Sequence, residues 1–154
     1  MNYFEKSVLI NCPLKKVFEF HTDTNNLKKI TPDFIKVDII KIDLPLKLGS
    51  EIILELIQIH IIKTIWKIQL TDFKPYTIIT DTQIKGPFKV WVHSHCFKDQ
   101  HDKTLMTDKV NYELPFGILG KTVNQILIKR LINKQFEFRH KTTKEILEEK
   151  DREK

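Results

Sequence analysis

Residues 88–114 read FKVWVHSHCFKDQHDKTLMTDKVNYEL, and this stretch decides the fold. Valine, threonine and aromatic residues are frequent in both halves, while residues 100–103 between them are polar and typical of a turn. The pattern predicts a β-hairpin with a four-residue loop. A loop of this length determines which residues lie opposite one another. The predicted opposed pairs on one face are Trp91 with Tyr112, His93 with Val110, His95 with Asp108, and Phe97 with Met106.

These paired residues predict a buried sheet face with a polar spot in it. Because side chains alternate between the two faces of a strand, all eight residues project from the same face. Most of them are apolar or aromatic, which indicates burial. Asp108 lies in their midst, and a buried carboxylate is costly unless it is paired. We expect a hydrogen bond between His95 and Asp108 across the hairpin, with Trp91 and Tyr112 stacked at the deeper end.

Two interpretations of the His95–Asp108 pair remain open from the residues alone. The pair would either form a polar group on a cavity wall, able to bind a carbonyl or hydroxyl or to move a proton, or it would only hold the register of the sheet. His93, one row away, is interpreted as a further group of the cavity wall. Cys96 points to the opposite face, which argues against a Cys–His catalytic pair.

The HxH spacing of His93 and His95 raises the alternative of a metal site. Together with Asp108, the two imidazoles would form a two-histidine, one-carboxylate arrangement. We expect no stoichiometric metal and no other cofactor, because the motif is short and recruits no further obvious ligand. The other four histidines are interpreted as surface or helix-packing residues, of which His60 is ambiguous: His21, His60, His101 and His140.

The whole chain predicts an α+β fold. One N-terminal strand and two short helices precede six strands in series, and a long helix follows, which favours an antiparallel sheet with the helix on one face. Such a sheet curls around the helix and encloses a space, which is the candidate binding site. The predicted strands cover 3–11, 34–42, 50–59, 62–72, 76–84, 88–98 and 104–114. The predicted helices are a short one that Pro13 opens, a second within 22–32 and a long one over 118–149.

The long helix carries an apolar stripe at helical spacing. We expect a single domain over 1–149 with a frayed, charged tail at 150–154, because no linker or repeat divides the chain. The break between the third and fourth strands, inside 59–62, has no glycine or proline to mark it. The stripe is formed by Leu119, Val123, Ile126, Leu127, Leu131, Ile132, Phe136 and Phe138.

The composition argues against several classes of function. The net charge is +6 over 154 residues, but the lysines are scattered and no basic run alternates with aromatic residues, so we expect no nucleic acid partner. With only four glycines, the chain has no glycine-rich phosphate loop. Charges interrupt every apolar run, so we expect no stable membrane insertion, while transient membrane contact and the oligomeric state stay open. Glu5 and Lys6 fall where a signal peptide would be apolar, which predicts a cytoplasmic location with Cys12 and Cys96 reduced.

Three stretches resemble the polyketide cyclase/dehydrase and lipid-transport branch of the START-like, or SRPBCC, superfamily, including small domains sometimes fused to nucleoside-sugar epimerases. They are INCPLKKVFEFHTDTNNLKKITP (10–32), FKPYTIITDTQIKGPFKVWVHSHCF (73–97) and TLMTDKVNYELPFGILGKTVNQILIKRLINKQFEFRH (104–140). One departure is Ile79, where an aromatic residue is usual. A second is LPLKLGSE (44–51), whose one glycine disfavours the nucleotide and RNase roles of plant relatives. The most specific matches are Asp81, Gln83, Gly86, Pro87, Phe88, Trp91, His93, His95, Phe97, Asp108, Tyr112, Pro115, Gly117 and Gly120.

The resemblance implies a helix-grip fold, in which a seven-stranded curved antiparallel sheet surrounds a long C-terminal helix, with two short helices after the first strand. It also implies that a hydrophobic or polycyclic small molecule, such as a lipid, a quinone or a polyketide, binds in an internal cavity of a carrier or chaperone. The alternative is a cyclase, dehydratase or isomerase in which His95 and Asp108 shuttle protons and Tyr112 or His93 stabilises an enolate oxygen. The predicted ligand contacts are Trp91, His93, His95, Phe97, Met106, Asp108, Val110 and Tyr112.

Overall fold

The computed structural model describes residues 1–58, 62–115 and 127–152. Within them the chain forms one seven-stranded antiparallel sheet in the order β1-β7-β6-β5-β4-β3-β2. The strands are β1 (Asn2–Ile10), β2 (Ile35–Ile42), β3 (Glu51–Gln58), β4 (Ile62–Lys74), β5 (Ile78–Lys85), β6 (Val90–Asp99) and β7 (Thr104–Glu113). The helices are α1 (Leu14–Thr22), a short 3-10 helix (Thr24–Asn26) and α2 (Lys129–Arg152).

The sheet is a series of hairpins closed by the N-terminal strand. Each strand from β2 to β6 pairs with its successor in the chain, and β1 pairs with β7. Short connections between sequential strands favour such neighbours. The predicted α+β architecture and the helix-grip arrangement are confirmed. The break predicted inside 59–62 falls on residues 59–61, which lie outside the described residues.

The β6–β7 hairpin has the predicted register. The Gln100 N–H donates to the Lys103 carbonyl at 2.8 Å and closes the four-residue loop. His101 and Asp102 within the loop adopt the left-handed backbone region, with φ of 52° and 65°, which these residue types tolerate better than most. The observed pairs are Trp91 with Tyr112, His93 with Val110, His95 with Asp108, and Phe97 with Met106.

Helix α1 and the 3-10 helix cover one end of the sheet. Pro13 precedes α1 as predicted, and its carbonyl accepts the Val17 N–H at 3.2 Å. The helix buries Val17, Phe18 and Phe20. The second predicted short helix is the 3-10 helix, which begins where the Asp23 side chain accepts a backbone N–H at 3.0 Å. Helix α1 packs against β6, and this contact brings His21, near the end of the helix, beside His95.

Helix α2 buries a stripe that differs from the predicted one. Leu127, just before the helix, is 51% exposed, and Phe138 is only half-buried. The helix continues to Arg152, beyond the predicted end at 149. The predicted helical residues Leu119, Val123 and Ile126, and the nearby Gly117 and Gly120, lie outside the described residues. The buried residues of the helix are Ile132, Phe136, Arg139, His140, Thr143 and Leu147.

The described hydrophobic core is divided into three clusters. The first lies beneath α1 and contains Phe18 and Phe97. The second joins β2, β3 and β4 around Leu54, and the third joins β6, β7 and α2 around Phe136. Where they meet, the interior is not filled by side chains. No described helix is both long enough and apolar enough to cross a membrane.

Candidate functional site

An internal cavity of about 150 Å³ lies between the inner face of the sheet and the helices. A hole of this size holds roughly one aromatic ring, so a larger ligand requires the walls to move. The apolar wall residues are Phe20, Leu27, Ile30, Ile39, Leu46, Ile52, Leu54, Trp66, Ile68, Leu70, Ile79, Trp91 and Phe136. The polar wall residues are His21, Asp23, Thr24, Asn26, Asp81, His93, His95, Gln135 and Arg139.

Asp108 lies directly behind two of the wall histidines. It is completely buried and accepts hydrogen bonds from His93 Nε2 at 2.8 Å and from His140 Nε2 at 2.5 Å. His95 Nδ1 is only 2.6 Å from the carboxylate oxygen that His93 also contacts. That contact lacks hydrogen-bond geometry, and His95 Nδ1 has no hydrogen-bond partner. The predicted His95–Asp108 contact is therefore present, but the hydrogen bonds come from His93 and His140.

The histidines keep the Asp108 carboxylate ionised. Burial alone would raise the pKa of Asp108, but the contacts with His95, His140 and His93 outweigh it and hold the pKa well below its usual value. A buried carboxylate with these contacts is a stable acceptor that orients the rings around it. His140, predicted to be a surface or helix-packing residue, is instead a buried member of this network, because α2 turns it toward the sheet.

His93 lies between two carboxylates. Its Nε2 contacts Asp108, and its Nδ1 is 3.4 Å from Asp81 Oδ1. Burial alone would lower the pKa of His93, but Asp81 and Asp108 raise it to about 9. At neutral pH the ring is therefore an imidazolium that balances negative charge on both sides.

Asp81 is a wall carboxylate that the described chain leaves without a hydrogen bond. It lies opposite His93 in the β5–β6 pairing, and its side chain is 13% exposed. Burial alone would raise the pKa of Asp81, but the charge of His93, with smaller contributions from His95 and Arg139, lowers it. An ionised carboxylate therefore faces the cavity, and its one polar contact among the described residues is with the His93 imidazolium at 3.4 Å.

Arg139 projects from α2 into the same wall. It is 9% exposed, and its Nε is buried without a hydrogen-bond partner. The guanidinium carbon lies 5.5 Å from the centre of the Phe136 ring, which is within the range of a cation–π contact. Burial lowers the pKa of Arg139, although arginine stays charged in proteins. Among the described residues it forms no ion pair.

His21 and His95 are neutral imidazoles on the wall, with ring centres 5.4 Å apart. Burial, followed by the charge of His93, lowers the pKa of His95. Burial, followed by the presence of His95, lowers the pKa of His21 to about 3. His21 Nδ1 donates to the Val17 carbonyl at 2.8 Å. The assignment of His21 to the surface or to helix packing was therefore incomplete, because the residue also lines the cavity.

Asp81, His93 and His95 are the described residues that could hold a metal ion. Each offers one donor atom, and these atoms lie within 4.8 Å of one another. Asp108, the third ligand of the predicted alternative, contacts the nitrogens that point away from this group. In the two-histidine, one-carboxylate arrangement, the carboxylate is therefore Asp81 and not Asp108. Asp81, on β5, lines the cavity together with the two histidines, whereas Asp108, on β7, lies behind them.

Of the predicted ligand contacts, Trp91, His93 and His95 line the cavity. The Trp91 and Tyr112 rings are 6.3 Å apart and inclined at 48°, so they are tilted rather than stacked. Ligand contact through the core residues, and a catalytic role for Tyr112, stay predictions. The predicted contacts that pack in the core are Phe97 and Met106 in the cluster beneath α1, and Val110 and Tyr112 in the cluster around Phe136.

Three site residues were missed: Asp81, Arg139 and His140. Asp81 shares the inner face of β5 with Ile79, which period-two alternation signals. Its partner could not be inferred, because the Gly86–Pro87 connection allows several loop lengths. Arg139 and His140 lie three and four residues after the buried Phe136 and therefore on the same face of the helix. They were not predicted to be buried, because the apolar stripe was defined by hydrophobic residues alone.

No protein-family model and no curated protein sequence matches this chain. Solved structures are similar to it. The Zhui aromatase/cyclase from Streptomyces sp. R1128 superposes with a TM-score of 0.76 at 14% identity, over 96% of this chain and 93% of that chain. A START superfamily protein from Mycobacterium smegmatis gives a TM-score of 0.70 at 15% identity, over 96% of this chain and 97% of that one.

The di-domain ARO/CYC StfQ from the steffimycin biosynthetic pathway gives a TM-score of 0.77 at 10% identity, over 97% of this chain and 52% of that chain. At such identities the likeness concerns the fold, and it agrees with the fold that the sequence resemblance implied. The chain has the fold shared by START superfamily proteins and aromatase/cyclases.

Proposed function

We propose that this protein binds a hydrophobic small molecule, such as a lipid, a quinone or a polyketide, in its internal cavity and serves as a carrier or chaperone. The wall supports the proposal, because thirteen of its residues are apolar and nine are polar, a combination found in small-molecule sites. We place the protein in the cytoplasm. Cys12 and Cys96 form no disulfide, in keeping with that compartment.

The observation that carries the proposal is the buried Nε of Arg139, which has no hydrogen-bond partner among the described residues. Arginine has donors and no acceptor, and a buried donor without a partner costs about 1–3 kcal/mol. The Nε of Arg139 is such a donor. A carbonyl or hydroxyl oxygen on the ligand would accept from it. The proposed ligand therefore has an apolar body and an oxygen acceptor at the end that faces α2.

The loop between β2 and β3 offers a way in. Leu46 lines the cavity, while Leu44 and Leu48 on either side of it are 64% and 63% exposed. Exposed leucines beside a cavity-lining residue fit transient contact with a membrane during loading. The chain would take a lipophilic ligand from the membrane surface without inserting into it.

The test is stabilisation by a panel of lipids, quinones and aromatic polyketides, measured by urea denaturation. A ligand at 100 times its Kd adds about 2.7 kcal/mol to the free energy of unfolding. We expect at least one compound to stabilise the wild type and to stabilise Arg139→Met much less. Arg130→Met is the matched control, because Arg130 is an exposed arginine on the same helix. Equal stabilisation of Arg139→Met and the wild type would refute the role of Arg139, and a panel without any stabilising compound would refute the proposal.

A second candidate function is that of a cyclase, dehydratase or isomerase. It is favoured by the position of His95, a wall imidazole whose Nδ1 lies 2.6 Å from Asp108, which suits a group that accepts a proton from a bound ligand. His93 or Arg139, both on the wall, would stabilise an enolate oxygen. His95→Gln separates the two functions: a carrier keeps its ligand unchanged, whereas an enzyme loses turnover but not binding.

A further inference from the structure

We propose that Asp81, His93 and His95 form a binding site for one divalent transition-metal ion on the cavity wall, with Asp108 as the carboxylate that orients His93. The site is independent of the proposed carrier function. Two imidazoles and one carboxylate suit Zn²⁺, Fe²⁺, Co²⁺ or Ni²⁺.

The spacing of the donor atoms fits an ion. His93 Nδ1 and Asp81 Oδ1 form an ion pair at 3.4 Å, and two ligands about 2.1 Å from a tetrahedral ion are themselves about 3.4 Å apart. All three donor atoms lie within 4.8 Å of one another. Closure around an ion therefore requires side-chain shifts of less than about 1 Å.

Asp108 leaves one nitrogen of each ring for the ion, and the ion displaces the proton that the His93 imidazolium carries on that nitrogen. Its Oδ1 lies 2.8 Å from His93 Nε2 and 2.6 Å from His95 Nδ1. The nitrogens that remain are His93 Nδ1 and His95 Nε2. A carboxylate behind a metal-binding histidine is the usual way in which proteins fix the ring and its tautomer. His140 holds the second oxygen of Asp108 from α2 at 2.5 Å, so the carboxylate itself is fixed.

These ligand groups have few partners among the described residues. The Asp81 carboxylate has one polar contact there, with His93 at 3.4 Å, and His95 Nδ1 is buried without a hydrogen-bond partner. Buried polar groups nearly always have partners. Arg139 lies on the same wall, and its positive charge repels a metal cation. The negative charges of Asp81 and Asp108 offset this repulsion. Because all three ligands come from one wall, the open coordination positions face the cavity.

The test uses Co²⁺ and chelator-treated full-length protein, with equilibrium dialysis and visible absorption as readouts. We expect about one Co²⁺ per chain, displaced by Zn²⁺, which such sites bind more tightly. Asp81→Asn and His93→Ala should each weaken Co²⁺ binding by more than about 100-fold, and Asp108→Asn by about 10- to 100-fold with the absorption spectrum retained. His101→Ala, in the exposed hairpin loop, should bind like the wild type.

Several results would overturn the proposal. One is the absence of Co²⁺ and Zn²⁺ binding to the folded wild type. Another is binding that Asp81→Asn leaves unchanged, or that His101→Ala removes, since the ion would then sit elsewhere on the surface. Thermal unfolding of each variant identifies those that fail to fold. If His93→Ala is one of them, Asp81→Asn still decides, because this change preserves the shape of the side chain.

Discussion

Asp108 and Asp81 both contact His93, but they differ in burial and in the number of hydrogen bonds that they accept. Asp108 is completely buried and accepts two hydrogen bonds, from His93 and His140. Asp81 lies on the cavity wall, and no described residue donates a hydrogen bond to its carboxylate. The pKa of each is lowered, so both are anions at neutral pH. Among the described residues, Asp108 therefore has more hydrogen-bond donors than Asp81, whose one polar contact is with His93 at 3.4 Å.

Two adjacent residues of α2 repeat the contrast. His140 Nε2 donates to Asp108 at 2.5 Å, while Arg139 Nε is buried without a partner. His140 is held behind the wall by Asp108, although its Nδ1 has no partner, whereas Arg139 lines the cavity. Asp108 and His140 are therefore interpreted as residues that orient the wall, and Asp81 and Arg139 as residues that bind a ligand or an ion. Stability and binding measurements on variants of each test this distinction.

The largest expected effect is that of Asp108→Ala. The change leaves His93 and His140 without their common acceptor, and breaking a buried charged pair costs about 3–5 kcal/mol. Urea denaturation measures the loss. Asp99→Ala, at an exposed position in the same hairpin, should change the free energy of unfolding by less than about 0.5 kcal/mol. A cost for Asp108→Ala as small as that of Asp99→Ala would show that Asp108 does not hold the wall.

The next effect is a decline in stability in mild alkali for chelator-treated protein. The pKa of His93 is raised from 6.5 to about 9, so its stabilisation is complete below pH 6.5 and is lost as the pH rises through about 9. The decline should reach about 3 kcal/mol at most. Denaturation across this pH window should show the slope in the wild type and not in His93→Gln. Parallel pH profiles for the two proteins would contradict the bridging position of His93.

Double-mutant cycles should rank the histidines around Asp108. The His93–Asp108 pair is a charged hydrogen bond, for which we expect a coupling of about 1.5–3 kcal/mol. The His95–Asp108 contact lacks hydrogen-bond geometry, so its coupling should be smaller, below about 1 kcal/mol. If the coupling energy of His95 with Asp108 proved larger than that of His93 with Asp108, the main partner of Asp108 would be His95, as the hairpin register alone predicts.

The smallest expected effect on stability is that of Asp81→Asn. The carboxylate has no hydrogen bond among the described residues to lose, and the change preserves its shape. The charge of Asp81 helps to keep His93 protonated, so the free energy of unfolding of ligand-free and metal-free protein should fall by about 1 kcal/mol at neutral pH. Asp108→Asn is the matched comparison and should cost clearly more. Equal costs would remove the distinction between the two carboxylates.

The hairpin could be predicted to the residue because two constraints act on it. A four-residue loop leaves one register, and period-two alternation assigns each side chain to a face, so His95 opposite Asp108 followed directly. Register and alternation predict contacts only between directly opposed residues and not between residues in neighbouring rows. The prediction therefore missed that His93, one row away, reaches Asp108 with better geometry than His95.

The rest of the site depends on how α2 packs on the sheet. Arg139 and His140 lie at helical spacing from Phe136, but local patterning does not say which strand a helix face meets. Phe97 and Met106 were expected at the cavity because they share a face with His95. They pack in the core cluster beneath α1, and ligand contact through them stays a prediction.

Native mass spectrometry of the purified protein tests the central claim most directly, which is that the unsatisfied wall groups bind a hydrophobic small molecule through an oxygen acceptor. We predict an adduct on the wild type that organic extraction releases and that proves to be an apolar molecule bearing a carbonyl or hydroxyl group. The adduct should be retained by Arg130→Met and lost or much reduced in folded Arg139→Met. A cavity that stays empty and takes up no compound from a lipid, quinone and polyketide panel, or an adduct that Arg139→Met retains in full, would contradict this account.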